Sequence, residues 1–375
     1  MYTRTIQQVI EKNLFKGKVI VIYGARQVGK TTLLEKLFDK KEQALILNCE
    51  RPEVFRILES FSITEMKLLF KNKEVIALDE AQVIPQIGKI LKVLYDSHDF
   101  PQKLIATGSS SLNLSSIVTE PLTGRHQVYT LFPLLLEEII EKKSWLWIKE
   151  NLEELLLFGT YPGIMDQALS NKANMLLQLS GDYLFKDILS LDSVKNSAIL
   201  RKLLQLLALQ IGSQVSLNEL AQQLSISLKT VERYIDLLEK SFVLFSLPSY
   251  NKNLRNELKK SKKYYFYDLG IRNALINNFS AIETRYDKGA LWENFCVSER
   301  YKRNKTFQNR INMFFWRTYD GAEIDIVEEK DGKISCFECK FNPNKKSKFP
   351  QSFLNEYTPA EAKVLSVDNF HEALL

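Results

Sequence analysis

The stretch "VIVIYGARQVGKTTLLEKL", residues 19–37, restricts what this chain can fold into more than any other part of it. An apolar run, Val19–Tyr23, leads into Gly24, then after four intervening residues Gly29, then Lys30 and Thr31, then a segment of helical spacing. This is G-x-x-x-x-G-K-[ST] set between a strand and a helix. Glycine-rich backbone can close its N–H groups around phosphate oxygens, Lys30 can reach the β- and γ-phosphates, and the Thr31 hydroxyl can ligate Mg²⁺. The expected nucleotide-binding set is therefore Gly24, Ala25, Arg26, Gln27, Val28, Gly29, Lys30, Thr31 and Thr32.

Two further apolar runs end in polar residues. "KEVIALDEAQ" ends a strand, Val75–Leu78, in Asp79 and Glu80. At the carboxyl end of a parallel strand such acids face the phosphates. Asp79 is expected to hold Mg²⁺ through water and Glu80 to activate the attacking water. "KLIATGSSS" ends in hydroxyls, with Ser109 the expected sensor of the γ-phosphate and Thr107 and Ser110 as neighbours; a plain polar loop is the alternative.

A length of 375 residues accommodates two or three domains. The net charge of +6 permits a nucleic-acid partner without requiring one. The cysteines, Cys49, Cys296, Cys336 and Cys339, are scattered, as reduced thiols of a cytoplasmic protein are, and form no disulfide framework. Cys336 and Cys339 have C-x-x-C spacing but lie on an expected strand with opposite facing, which makes them strand residues and not zinc ligands. No signal peptide opens the chain and no apolar run reaches membrane-spanning length, so no membrane partner is expected. The three histidines lie away from the motifs, which argues against histidine-based catalysis.

Leucine and glutamate at helical spacing fill residues 134–208, broken at "GTYPG", Gly159–Gly163. Beyond them "VSLNELAQQLSISLKTVERYIDLLEKSFVL" carries a helix-turn-helix signal. Ser216 caps a first helix with Leu217, Leu220 and Leu224 inward. The second helix, Leu228–Lys240, buries Val231, Ile235 and Leu238 and turns Lys229, Thr230, Arg233 and Tyr234 outward. A following segment with Lys252, Arg255, Lys259, Lys260, Lys262 and Lys263, opposed only by Glu257, reads as a basic wing. A recognition helix with such a wing suits phosphate contacts on duplex DNA. A protein-contact module is the alternative.

Near the end, "GAEIDIVEEKDGKISCFECKF" reads as a β-hairpin. Asp331-Gly332 tolerates the positive φ of a two-residue turn. Ile324, Ile326, Phe337 and Cys339 are expected on one face. Pairing Lys330 with Lys333 places Asp325 opposite Glu338 and Glu323 opposite Lys340, all four on the same face. Facing carboxylates repel. A divalent cation between them would offset that, with Lys340 beside it to polarise water or stabilise phosphate charge. A solvated polar strand face is the other reading.

Together "YGARQVGKTTLL", "VIALDEAQ", "ATGSSS" and "LTGRHQVYTLFPLLLEE" resemble the AAA_14 family of prokaryotic ATPases, AAA+-like proteins that usually carry a C-terminal DUF4143 region. The resemblance covers nearly the whole chain. It implies an α/β protein: an AAA+-type P-loop ATPase core over 1–133, a helical lid or connector over 134–208, a winged helix-turn-helix over 209–284, and a PD-(D/E)XK nuclease-like α/β domain over 285–375. In this family a Gly-Arg after the sensor strand is typical; here it is Gly124-Arg125. Arg125 would act as a finger on the γ-phosphate, in cis or from a neighbouring subunit of a homo-oligomer. Arg4, ahead of the loop, would help hold nucleotide. Thr160 departs from the family's Gly-Gly-aromatic-Pro. Carried over residue by residue, Asp325, Glu338 and Lys340 match the nuclease metal-and-lysine core, Glu293 matches its accessory helix acid, and Glu323 is an extra carboxylate. No proline precedes Asp325.

The expected protein therefore binds and hydrolyses ATP with Mg²⁺. It couples nucleotide state to DNA, branched or damaged forms included, and to cleavage at a second site taking Mg²⁺ or Mn²⁺. The alternative is a non-cleaving, ATP-controlled regulatory or assembly switch whose C-terminal domain only binds.

Overall fold

The computed structural model describes residues 1–14, 16–39, 42–97, 100, 103–109, 121–183, 196–251, 262–345 and 348–375. Ser110, Lys252, Arg255, Glu257, Lys259 and Lys260 lie outside the described residues. The chain divides into two compact units: residues 1–132 with 240–242, and residues 133–239 with 243–375.

The first unit is built on five strands, β1 (Val19–Tyr23), β2 (Ala44–Asn48), β3 (Val75–Asp79), β4 (Lys103–Gly108) and β5 (His126–Thr130). They pair in parallel in the order β2-β3-β4-β1-β5. β1 and β3 are buried at every position, as strands covered on both faces by helices must be. Helices Pro52–Glu59, Ile63–Leu69 and Ile87–Asp96 bury Val54, Leu58, Met66, Ile90, Leu91 and Leu94 in one core with Val19, Val21, Ile76, Leu78 and Leu104. The strand order places β4 between β1 and β3, so three neighbouring carboxyl ends open side by side.

The second unit holds most of the described residues after Phe132. Helices Leu217–Leu224 and Leu228–Lys240 are joined by residues 225–227, with Ser225 left-handed at φ 54°. Ser216 caps the first by accepting from the Glu219 N–H. In the second, Lys229 and Arg233 are exposed, but Tyr234 is only 2% exposed. The outward reading of Tyr234 is thus corrected: it packs inward beside Val231, Ile235 and Leu238, widening the apolar stripe. Strands on either side of these helices, β6 (Gln214–Val215), β7 (Leu244–Pro248) and β8 (Lys262–Phe266), form an antiparallel sheet in the order β6-β8-β7.

The "GTYPG" break has a packing cause. Gly159 has φ +69°, and a Cβ there would lie 2.1 Å from Asp268 Oδ1. Asp268 caps helix Leu269–Leu275 by accepting from Ile271 and also accepts from the Thr160 N–H at 2.6 Å.

Helix Lys288–Thr306 then precedes a sheet of β9 (Asn312–Arg317), β10 (Glu323–Lys330), β11 (Lys333–Cys339) and β12 (Glu361–Leu365), in the order β12-β11-β10-β9. β10 and β11 pair in the expected register, Lys330 with Lys333, across Asp331 (φ 50°) and Gly332 (φ 77°). The expected strict alternation does not hold. A bulge between Ile324 and Val327 in the β9–β10 ladder puts both residues in one cluster with Cys336, Trp316 and Phe353. One extra residue shifts the facing on either side of it.

Candidate functional site

The loop after β1 closes tightly against its own sheet. A Cβ on Gly24 would lie 2.3 Å from the Leu131 carbonyl, so only glycine fits there. Lys30, the first residue of helix Lys30–Leu37, is buried and folds its ammonium back to donate to the carbonyls of Gly24 (3.0 Å) and Ala25 (3.1 Å). Those bonds hold a cation in the mouth of the loop. Arg4, only 6% exposed, donates to the Val28 carbonyl at 2.7 Å and the Phe132 carbonyl at 2.5 Å. It braces the loop from behind. Arg26, Gln27, Val28 and Gly29 form the turn into the helix, and Thr32 follows half-buried.

Thr31 Oγ1 donates to Asp79 Oδ2 at 2.6 Å, and the Thr107 hydroxyl donates to Asp79 Oδ1. A hydroxyl and a buried carboxylate present hard oxygen ligands, the donor set Mg²⁺ prefers, so the residues fit that ion. Glu80 sits at φ 52°, ψ 40°, an uncommon conformation for a non-glycine residue. Its N–H donates to Thr107 Oγ1 at 3.2 Å. Its carboxylate accepts from Gln82 Nε2 at 2.6 Å, and the same Nε2 lies 3.2 Å from Ser109 Oγ. The structure thus brings together Gly24–Thr32, Asp79, Glu80, Thr107 and Ser109, and adds Gln82, which the sequence reading missed. Gln82 stands three residues beyond Asp79, inside a motif read only for its acids.

Arg125 is not brought to this site. β5 runs parallel to β1, with Val19 beside His126 and Tyr23 beside Thr130. Arg125 therefore precedes the end of β5 remote from the loop, about 17 Å of extended chain from Thr130. Its Nε pairs with Asp96 at 3.1 Å. A finger acting on its own chain's γ-phosphate is thereby corrected.

The second unit holds the other cluster. Lys340 Nζ lies 2.6 Å from Glu338 Oε2 and 3.8 Å from Asp325 Oδ2. Asp325 also accepts from the Cys339 N–H at 2.8 Å. Asp325, Glu338 and Lys340 converge as expected, but their repulsion is offset by ammonium groups. A second buried ammonium nearby is Lys263, whose burial overturns its reading as a surface phosphate contact. It is 1% exposed, pairs with Glu293 Oε1 at 2.9 Å and bonds Glu323 Oε1. Tyr265 also donates to Glu293 Oε1, at 2.7 Å. Glu293 is therefore held by Lys263 and Tyr265 and is not open to a metal, which corrects its assignment as a ligand. Among the described residues, no three acidic, histidine or cysteine side chains group closely enough to hold a metal ion. Asp325 and Glu338 remain as a two-carboxylate pair beside Lys340. The four cysteines are buried free thiols.

Burial raises the carboxyl of Glu338 to about 7, with Asp325 adding to the rise. Burial likewise raises Glu293 to about 7, against the opposing pull of Lys263, and raises Asp268 to about 6. Each of these groups keeps a proton in the folded chain where the unfolded chain, at ordinary values of 4.5 or 3.8, has lost it. The folded state therefore binds more protons, and stability falls as pH rises from about 4 to about 7. The thermal midpoint should drop between about pH 4 and about pH 7, and Asp268→Asn should flatten that drop. A midpoint that climbs across this range would count against the buried protons.

Comparison with known proteins accounts for most of the chain. Residues 16–140 match the AAA_14 family model, an AAA domain; residues 149–281 match DUF8612 and residues 288–372 match DUF4143, both domains of unknown function. An uncharacterized protein of Mycobacterium tuberculosis is 27% identical over 335 residues, covering 88% of this chain and 72% of its own. An uncharacterized protein of Haemophilus influenzae is 26% identical over 355 residues, covering 88% of this chain and 84% of its own. Among solved structures, the Walker-type ATPase PABY2304 of Pyrococcus abyssi is similar in fold, with a TM-score of 0.53 at 16% identity, over 74% of this chain and 96% of that one. Among the described residues, no helix is long and apolar enough to cross a membrane.

Proposed function

We propose that this chain, an AAA_14-type P-loop ATPase joined to a DUF4143 region, hydrolyses ATP with Glu80 as the base that activates water. The observation that carries this is the 2.6 Å bond from Thr31 to Asp79, which joins the phosphate loop to the acid strand. Lys30 leaves the carbonyls of Gly24 and Ala25 for the β- and γ-phosphates, and the loop's backbone N–H groups take the remaining oxygens. Mg²⁺ would be held by Thr31 and, through water, Asp79, where it neutralises phosphate charge. Glu80 takes the proton of the attacking water, and Ser109 donates to the γ-phosphate. Phosphate release from ATP by the full chain tests this. Turnover should require Mg²⁺ and fall about 100-fold or more in Asp79→Asn. Equal turnover after chelation of divalent ions overturns it.

The convergence of Asp325, Glu338 and Lys340 favours a second reading, a nuclease-like centre served by a winged helix and governed by nucleotide state. Lys229, Arg233 and Lys262 are exposed in the helix-turn-helix and sheet segment and suit phosphate contacts. Asp325 and Glu338 would hold one divalent ion, and Lys340 would act on the water or the scissile phosphate. Duplex, nicked and branched DNA incubated with the full chain, ATP and Mg²⁺ or Mn²⁺ provides the test. Cleavage should vanish in Lys340→Ala, and DNA affinity should fall steeply with salt. Salt-sensitive binding with no cleavage on any substrate supports the non-cleaving switch instead.

A further inference from the structure

Gln82 lies in the short 3₁₀ turn Ala81–Val83 directly after Glu80. Its Nε2 reaches Glu80 Oε2 at 2.6 Å and Ser109 Oγ at 3.2 Å. A carboxylate only accepts, so the amide nitrogen must be the atom that faces it, which settles the orientation of the amide. Oε1 is then turned away, buried, with no hydrogen-bond partner among the described residues. A buried acceptor left in that state costs about 1–3 kcal/mol, and such atoms are few in native proteins. The backbone of Glu80 is anchored to Thr107, while its carboxylate has Gln82 as its one hydrogen-bond partner among the described residues.

We infer that Gln82 is the positioning residue for Glu80. It ties the catalytic carboxylate at the end of β3 to the hydroxyl at the end of β4. This rests on the ATPase reading and deepens it. The main grip on the phosphates belongs to Lys30, Thr31 and the loop, and Gln82 meets it only through Ser109. Gln82 should therefore govern turnover and not affinity.

The test is a double-variant cycle on the full chain, with phosphate release and binding of a fluorescent ATP analogue measured together. Gln82→Ala should lower kcat about 10–100-fold, the scale of a misaligned reacting group, while nucleotide affinity stays within about twofold of the parent. In a Glu80→Gln background the same change should cost nothing further, because Gln82 acts through Glu80. Gln82→Met, which keeps the volume and removes the amide, should repeat both results and stands in if the alanine variant folds poorly. Independent, additive losses in the double variant, or a loss confined to affinity, overturn the role of Gln82 and leave the ATPase reading intact. A parent chain that releases no phosphate overturns both.

Discussion

Lys30→Ala is expected to weaken ATP binding about 100-fold, while Glu80→Gln should keep the parent's affinity and hydrolyse about 100-fold or more slowly. Lys30 already crowds a cation against the carbonyls of Gly24 and Ala25, 3.0 and 3.1 Å away, within the loop proposed to take the phosphates. Removing it deletes charge-assisted hydrogen bonds of about 1.5–3 kcal/mol, and each 1.4 kcal/mol is tenfold in affinity. Glu80 stands outside the loop at the end of β3, bonded to Gln82 and Thr107, so on the proposed reading its loss removes a proton acceptor and no phosphate contact. A general base contributes about 10²–10⁴ to rate. Nucleotide titration and single-turnover phosphate release on the two variants separate these effects. Equal loss of binding in both would contradict the division of roles.

The second large effect concerns Lys263. Lys263→Met should lower the stability of the second unit by about 3–5 kcal/mol, the usual cost of stripping one partner from a buried ion pair. Glu293 and Glu323 would be left facing Asp325 without the ammonium that now bonds both. The rise of Glu293 toward neutrality caps the cost, because it can take a proton instead. Lys262→Met, one residue earlier and exposed, should change stability by about 0.5 kcal/mol or less. Urea unfolding followed by tryptophan fluorescence compares the two, since Trp292 and Trp316 are buried in this unit. If the two substitutions shift the midpoint equally, the pairing of Lys263 carries no weight.

What could be read from the chain and what could not divide along sequence distance. The phosphate loop, the acid pair after β3 and the hairpin register are set by residues within a few positions of one another. Asp331-Gly332 demands its turn, and the turn fixes which residues of β10 and β11 face each other. The bulge escaped because it depends on β9, not on the turn. Arg125 was misplaced because β5 runs parallel to β1, and its partner Asp96 closes a helix 29 residues earlier. Lys263 looked like one more charge in a basic run, since its partners, Glu293 and Glu323, come 30 and 60 residues later. Glu293 was taken for a ligand for the same reason. Tyr234 continued a polar helix face by spacing alone, whereas an aromatic ring at the edge of an apolar stripe packs inward.

The ammonium of Lys263 also bears on how such chains can diverge. Lys263 falls in the segment matching DUF8612, residues 149–281, and its carboxylate partners fall in the segment matching DUF4143, residues 288–372. Two regions catalogued as separate building blocks thus share one buried charge balance. A recombination event that replaced either one would bring a new acid pair to meet a resident lysine, or the reverse. Only segments that had changed in step would fold together. The junction between the two regions, residues 282–287, is therefore a poor place to cut and splice, and relatives should inherit the lysine and its acids as a set.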